Sequence, residues 1–395
     1  MGIVEVIYQG RKMNSSINIA EILIVNSTGV FILLFLIGSK YANKSTKRVG
    51  EYLFSCMIIL NILTLIMETL SFLIDGMPGK FIHILQYFSN ALLIFGAPMM
   101  GCIWCLFVEF KIHRSLKRVN KIAYVLAIPA VMNALFVVLD CFGAGLLFAI
   151  SKDNVYARGR FDGLSYICIC FYYLYSIAVV YLAKHKGSQI HFFPVYTYVL
   201  PCVMGTIVQG MHYGIATGWF SVAIAILLVE IQLQKEESFV DELSGLYNRK
   251  YLEFFYKQMR VKKFAQVYGI MMDLNLFKQI NDTYGHTVGD DAIRTVSALL
   301  SHWVETPDTV IRFAGDEFII MCVNRTQNEV TALMDRIRKN LSDYNRSGKK
   351  PYNLSFSMGY TKYSEEYKKL DEFLRDMDKM MYEDKEEFRR HELSI

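Results

Sequence analysis

Ile311-Arg312-Phe313-Ala314-Gly315-Asp316-Glu317-Phe318-Ile319-Ile320 decides how the C-terminal part of this chain folds. Apolar residues flank a core of two small residues and two acids, the pattern of a strand, a two-residue turn and a second strand. Ala314 and Gly315 leave room for a bulky ligand beside the backbone, and Asp316 and Glu317 set two adjacent carboxylates at the tip of the hairpin. Alone, this is an ordinary turn. A second cluster upstream, Asp273-Leu-Asn-Leu-Phe-Lys278-Gln-Ile-Asn281-Asp282-Thr-Tyr-Gly285-His286-Thr-Val-Gly289-Asp290, changes the reading. It follows the apolar run 267–272, so Asp273 sits at the exit of a buried strand. Carboxylates from two strand ends, with a lysine near them, are what a divalent-metal nucleotide site requires.

Working outward, the spacing predicts an amphipathic helix over 248–259, with Tyr251, Leu252, Phe255 and Met259 inward. The run 290–303 places Ile293, Val296, Leu299, Leu300 and Trp303 at helical spacing, and a further helix covers about 327–344. Leu354, Phe356 and Met358 alternate with serines as in a half-buried strand, and the last helix lines up Leu370, Phe373, Leu374, Met377 and Met381. Helices alternating with strands around a central hairpin give an α+β sheet covered by helices.

The chain has 395 residues, 53% of them hydrophobic, and a mean hydropathy of +0.26. The apolar excess is concentrated before position 235, where there are only 17 basic and 10 acidic residues; from 235 onward there are 25 and 27. The first part carries +7 and the second −2, together the overall +5, and a −2 half has no basic footprint for nucleic acid. Seven spanning segments fit before the boundary: 18–38, 51–74, 81–109, 122–141, 164–183, 192–212 and 215–233. Lys40, Lys44, Lys47 and Arg48 follow the first; Lys111, Arg114, Lys117, Arg118 and Lys121 follow the third; Lys184 and Lys186 follow the fifth. Alternate loops are thus basic, placing the N-terminus outside and residue 234 inside. The pair Arg11-Lys12 runs against that bias and is outvoted. The first segment, of spanning length and followed by a basic loop, reads as a stop-transfer helix rather than a cleaved leader.

Seven of the eight cysteines fall in or at the ends of these segments and read as packing residues, as does Cys322 in its apolar strand. Glu68 lies well inside the second segment, with Glu21, Asp75 and Asp140 toward outer ends. Such acids serve either interhelical hydrogen bonding or a ligand or proton site opening outward. The external stretch 156–161 bears a short resemblance to the seven-helix sensor regions of some bacterial histidine kinases. From Glu230 to Val240 the last segment continues as a charged helix, able to transmit rotation or to act as a tether.

With Asp241-Glu-Leu243-Ser-Gly245-Leu-Tyr-Asn248-Arg249 added, the two acidic clusters resemble the GGDEF-domain diguanylate cyclases over roughly residues 238 to 390. The resemblance implies a multi-pass α-helical membrane domain plus a cytoplasmic α+β GGDEF domain with a five-stranded, palm-like nucleotidyl-cyclase sheet. Its divisions are a seven-helix sensor over 1–233, a helical linker over 234–240 and the cyclase domain over 241–395. It further implies Mg²⁺ or Mn²⁺ on Asp273, Asp316, Glu317 and the Leu274 carbonyl. Asp316 and Glu317 then divide metal binding and deprotonation of the attacking ribose hydroxyl between them. Lys278 reaches a terminal phosphate, Lys385 and Arg389 neutralise phosphates, and Phe277 and Gly315 border the nucleotide. Asn281 and Asp290 read guanine, whose N–H edge adenine lacks.

Three positions depart from the family pattern: Ala314 for a glycine, Asn275 for an acid, and Phe388 for the glycine before Arg389. A product-binding Arg-x-x-Asp site is also altered, to Glu305-Thr306-Pro307-Asp308. The expected protein is a bacterial inner-membrane receptor, a homodimer that condenses two GTP into cyclic di-GMP. Its partners are GTP, the lipid bilayer and an unknown extracellular or membrane ligand, without nucleic acid. The alternative is a catalytically inactive nucleotide-binding signalling module. A transporter with an appended regulator is disfavoured, because no broken-helix repeat is evident.

Overall fold

The computed structural model describes residues 19–42, 49–185, 195–211, 215–262 and 266–392. They fall into two compact units, and the chain passes from the first to the second between positions 233 and 234.

The N-terminal unit is built from α1 (Ile19–Ala42), α2 (Val49–Ile74), α3 (Lys80–His113), α4 (Leu116–Cys141), α5 (Gly163–His185), α6 (Val195–Met211) and α7 (Gly218–Glu237). These helices are apolar on nearly every side, so burial within the bundle leaves large side chains outward, Phe31 at 71% and Tyr124 at 81% exposed. Such all-round apolarity suits a surround of lipid rather than water. Six of the helices are long and apolar enough to cross a membrane. The seventh expected span, 192–212, appears as α6, a shorter apolar helix of 17 residues; 192–194 and 212 lie outside the described residues.

The third and fourth segments are not joined by a long basic loop. Ser115 caps α4 by accepting from the Arg118 backbone N–H, so Lys117, Arg118 and Lys121 ride on the first turns of that helix. Arg118 donates to buried Glu109 at 2.9 Å, and Tyr175 donates to the other Glu109 oxygen at 2.6 Å. Arg11, Lys12, Lys44, Lys47, Arg48 and Lys186 lie outside the described residues.

At the other end, β1 (Phe148–Ile150) and β2 (Tyr156–Arg158) form a small antiparallel pair. Asp140 is fully buried there and accepts from the backbone N–H groups of Leu146, Leu147 and Phe148 at 2.5, 2.7 and 3.1 Å. It anchors the hairpin rather than bonding between helices, because three orphan donors need an acceptor as soon as the chain leaves the helix.

The C-terminal unit follows the order α8 (Arg249–Lys262), β3 (Val267–Leu274), α9 (Phe277–Tyr284), α10 (His286–Trp303), β4 (Thr309–Ala314), β5 (Glu317–Val323), α11 (Gln327–Arg346), β6 (Phe356–Lys362) and α12 (Leu370–Glu392). Its sheet is antiparallel, ordered β4-β5-β3-β6, with four strands among the described residues where five were expected. Beyond β4 the edge carries only a single parallel bridge, Tyr247 to Ile311. Strand β3 is buried along its whole length, as befits a central strand with helices on both faces. Ile270, Met272, Phe318, Ile320 and Ile293 form one core, closed by α10 and α11. Met377 and Phe373 of α12 press on the opposite face at Gly269.

Candidate active site

Central strands β3 and β5 run antiparallel with Asp273 directly opposite Glu317. Opposed residues of an antiparallel pair project to the same face, so these two carboxylates stand side by side. Leu274 donates its backbone N–H to the Asp316 carbonyl at 3.2 Å, which fixes the hairpin turn against the end of β3. Gly315, at φ +40°, supplies the left-handed backbone that lets the turn close between Asp316 and Ala314. Asp273 is 8% exposed, and Asp316 and Glu317 are half-buried. Burial, together with the charge of Asp273, pushes both Asp316 and Glu317 above the ordinary carboxylate range; Asp316 and Asp378 also act on Glu317. Three neighbouring acids of which two have raised pKa values favour the approach of a cation.

One cation is present in the chain itself. Lys385 of α12 donates to Asp273 at 2.6 Å. The expected helical pair Lys385 and Arg389 is therefore divided: Arg389, at the exposed end of α12, pairs with Glu386 at 2.9 Å. No three or more acidic, histidine or cysteine side chains converge as a ready metal cage among the described residues. Magnesium requires fewer: it is commonly held by one or two carboxylates with phosphate oxygens completing its shell. The opposed Asp273 and Glu317, the adjacent Asp316 and the ammonium already drawn onto Asp273 fit that partial shell.

Past β3, Leu276 takes a left-handed conformation (φ +59°) and starts α9 without a side-chain cap. The first N–H groups of α9, at Phe277 and Lys278, thus end beside the carboxylates, the arrangement that receives phosphate at a helix N-terminus. Lys278 is exposed, and Phe277 packs partly on the core. Asn281 lies on α9 against Gly289 of α10, where a Cβ would overlap the Asn281 side-chain oxygen. Asp290, next to Gly289, is exposed and lies inside α10, which begins at His286; it is neither a turn nor a cap residue.

Asn275 is tied down next to the carboxylates, since its partner Ser357 stands directly opposite Asp273. It is buried in bonds to β6, donating to Ser355 at 3.3 Å and accepting from Ser357 at 2.8 Å. An acid there would have to give up the donor that Ser355 accepts from. Phe388 is half-buried on α12. Asp308 is 5% exposed, accepts from the Val323 N–H at 3.0 Å and pairs with Arg325 at 3.1 Å, while Glu305 is exposed. Asp308 thus serves the junction of β5 with α11.

One further group belongs to the site. Arg312, the only basic residue in the quoted apolar stretch, donates to the Gly315 carbonyl at 2.9 Å and to Asp241 at 2.8 Å. Its backbone N–H donates to Tyr247 at 2.7 Å, and Arg249 lies 4.9 Å from the Phe313 ring centroid. Residues 241–249 therefore clamp the hairpin. A lone arginine amid apolar strand residues was the available signal.

Residues 238–391 match the family model described as "Diguanylate cyclase, GGDEF domain". Diguanylate cyclase DgcZ of Escherichia coli K12 is 31% identical over 181 residues, 45% of this chain and 61% of its own. Diguanylate cyclase A of Treponema denticola is 34% identical over 119 residues, 30% of this chain and 32% of its own. This chain therefore spans less than two thirds of the length of these curated relatives. A sensory box/GGDEF family protein of Caulobacter crescentus, solved by crystallography, is 26% identical with a TM-score of 0.33, covering 38% of this chain and 99% of that one.

Proposed function

We propose, from the premise that residues 238–391 form a GGDEF domain, that this chain is a membrane-bound diguanylate cyclase condensing two GTP into cyclic di-GMP and two pyrophosphates. The observation that carries this reading is Asp273 standing opposite Glu317, with Asp316 next to it in the hairpin turn and the uncapped start of α9 a few residues after Asp273. Residues 1–233 are the membrane sensor, 234–240 the helical link and 241–395 the cyclase domain. The basic segments put the N-terminus outside and the cyclase domain in the cytoplasm of a bacterial inner membrane.

Asp273, Asp316, Glu317 and the Leu274 carbonyl would hold Mg²⁺ or Mn²⁺, which when bound supplies charge neutralisation at the phosphates. The start of α9, with Lys278, receives the terminal phosphates. Lys385 moves from Asp273 to the phosphate chain as substrate enters, and Arg389 leaves Glu386 to join it. Asp290 and Asn281 orient guanine, Asp290 accepting from its N–H edge. Phe277 and Gly315 border the nucleotide. Glu317 or Asp316, each held above the ordinary carboxylate range by burial and by Asp273, takes the proton of the ribose 3′-hydroxyl. The freed oxygen bonds to the α-phosphorus of the facing GTP, the bridge to the β-phosphate breaks, and pyrophosphate leaves. Each domain holds one GTP, so two copies face each other across a two-fold axis.

The test is direct. Purified full-length protein given GTP and Mg²⁺ should release two pyrophosphates for each cyclic di-GMP. GTP binding with no product would favour the second reading, a catalytically inactive nucleotide-binding signalling module. That reading draws on Ala314 in place of glycine and on the Lys385–Asp273 pair.

A further inference from the structure

The N-terminal unit encloses a cavity of about 290 Å³ whose chemistry the cyclase reaction leaves unused. It lies among α2, α3, α5, α6 and α7 and reaches the end that carries the β1–β2 hairpin, where Asp75, Arg158 and Asp162 line it. Its size is at the lower bound for small-molecule sites, roughly 300–1,000 Å³.

Deeper in the cavity is Glu68, 3% exposed. Its Oε1 accepts from Gln209 at 3.2 Å and the Asn26 side chain also bears on the carboxyl, while Oε2 makes no hydrogen bond. A buried carboxylate oxygen without a donor is costly and calls for one. The charged groups lining the cavity do not provide it. Arg158 stands 3.9 Å from Asp162, and both are partly exposed. Asp75 is already satisfied, accepting from Gln86 at 3.0 Å and from the Tyr156 N–H at 2.8 Å. Three acids against one arginine leave the lining negative. The cavity lining also includes the aromatic rings of Phe72, Tyr173 and Trp219. Ring faces attract cations, and such rings with a carboxylate form a surround for an organic ammonium group. A bare metal ion would find too few ligands, since no cluster of acidic, histidine or cysteine side chains able to hold one occurs among the described residues.

We infer that this cavity binds a small protonated amine with an apolar body, its N–H donating to Glu68 Oε2 and its body lying against the aromatic rings. Entry from outside the cell rests on the orientation proposed above; binding itself does not.

The experiment titrates three probes of equal size into the full-length protein in lipid nanodiscs, by calorimetry, with heats into empty nanodiscs subtracted. The probes are 2-phenylethylamine, 2-phenylethanol and phenylacetate, which differ in charge. Saturable binding of the amine alone is expected, weakened at least tenfold by Glu68→Gln. Ala97→Leu, which narrows the cavity without touching a charge, should weaken it similarly, and it carries the test if Glu68→Gln does not fold. The inference is overturned if the amine shows no saturable binding, if the alcohol or the acid binds as tightly, or if neither variant changes the affinity. Because the readout is binding rather than turnover, failure here is distinguishable from failure of the cyclase reading.

Discussion

Glu317 and Asp273 are opposed on neighbouring strands, and like charges placed so are unfavourable to the fold. Both hairpin acids have raised pKa values, caused first by burial. Ionising them therefore costs stability as pH rises through the carboxylate range, the reverse of a salt-bridged acid. Glu317→Gln should raise the melting temperature of the metal-free protein, on the order of 2–4 °C for about 1 kcal/mol in a domain of this size. The same change, or Asp273→Asn, should cut turnover by at least about 10²-fold. Calorimetry and a cyclic di-GMP assay measure the two effects; wild-type turnover in both variants would remove these residues from the reaction. Asp290 supports a separate expectation. Its side chain is exposed on α10 and caps nothing, so Asp290→Ser should leave stability within about 0.5 kcal/mol. GTP preference over ATP should fall, and an unchanged kcat/KM ratio for the two nucleotides would show that Asp290 does not read guanine.

At the scale of elements, the hairpin is held from outside the sheet. Arg312 joins the turn carbonyl of Gly315 to Asp241, in the segment that follows α7. Burial pushes the Asp241 pKa up, but hydrogen bonds from Ser244 and Arg312 outweigh it and keep the group below its ordinary value. This contribution is present at neutral pH and is lost as pH falls through that lowered value. Arg312→Ala removes a bond to a charged partner in a half-buried site, a loss of about 1–3 kcal/mol. A double-mutant cycle with Asp241→Ala should show the two losses overlapping. Strict additivity would mean that the pair does not act as a unit.

Regulation and assembly belong to the whole molecule. Asp308 is committed to Arg325 and the Val323 N–H, and position 305 is a glutamate where a phosphate-gripping arginine was expected. Cyclic di-GMP should therefore not inhibit through this surface, because bidentate arginine–phosphate pairing is missing. Product titrated into an assay with GTP well above its KM decides this; non-competitive micromolar inhibition would contradict it. On the proposed reading of one GTP per domain, specific activity should rise with protein concentration below the dimer dissociation constant. A concentration-independent rate over a hundredfold dilution would argue against paired half-sites.

The sequence by itself determined the division of the chain, the apolar helices and the hairpin, because these follow from local periodicity and from where charge is absent. The run 267–272 with Asp273 after it was legible as a buried strand, and it forms the central strand β3. Tertiary structure alone decided which groups meet. Lys385 reaches Asp273 across 112 positions, Asn275 bonds to Ser357 of β6 across 82, and Arg312 finds Asp241 across 71. No spacing rule carries such distances. Asp140 and Asp308 are buried for the same reason: backbone donors or an arginine from another element meet each of them there. A side chain's partner depends on strand order and helix packing, which are properties of the assembled core rather than of any window of residues.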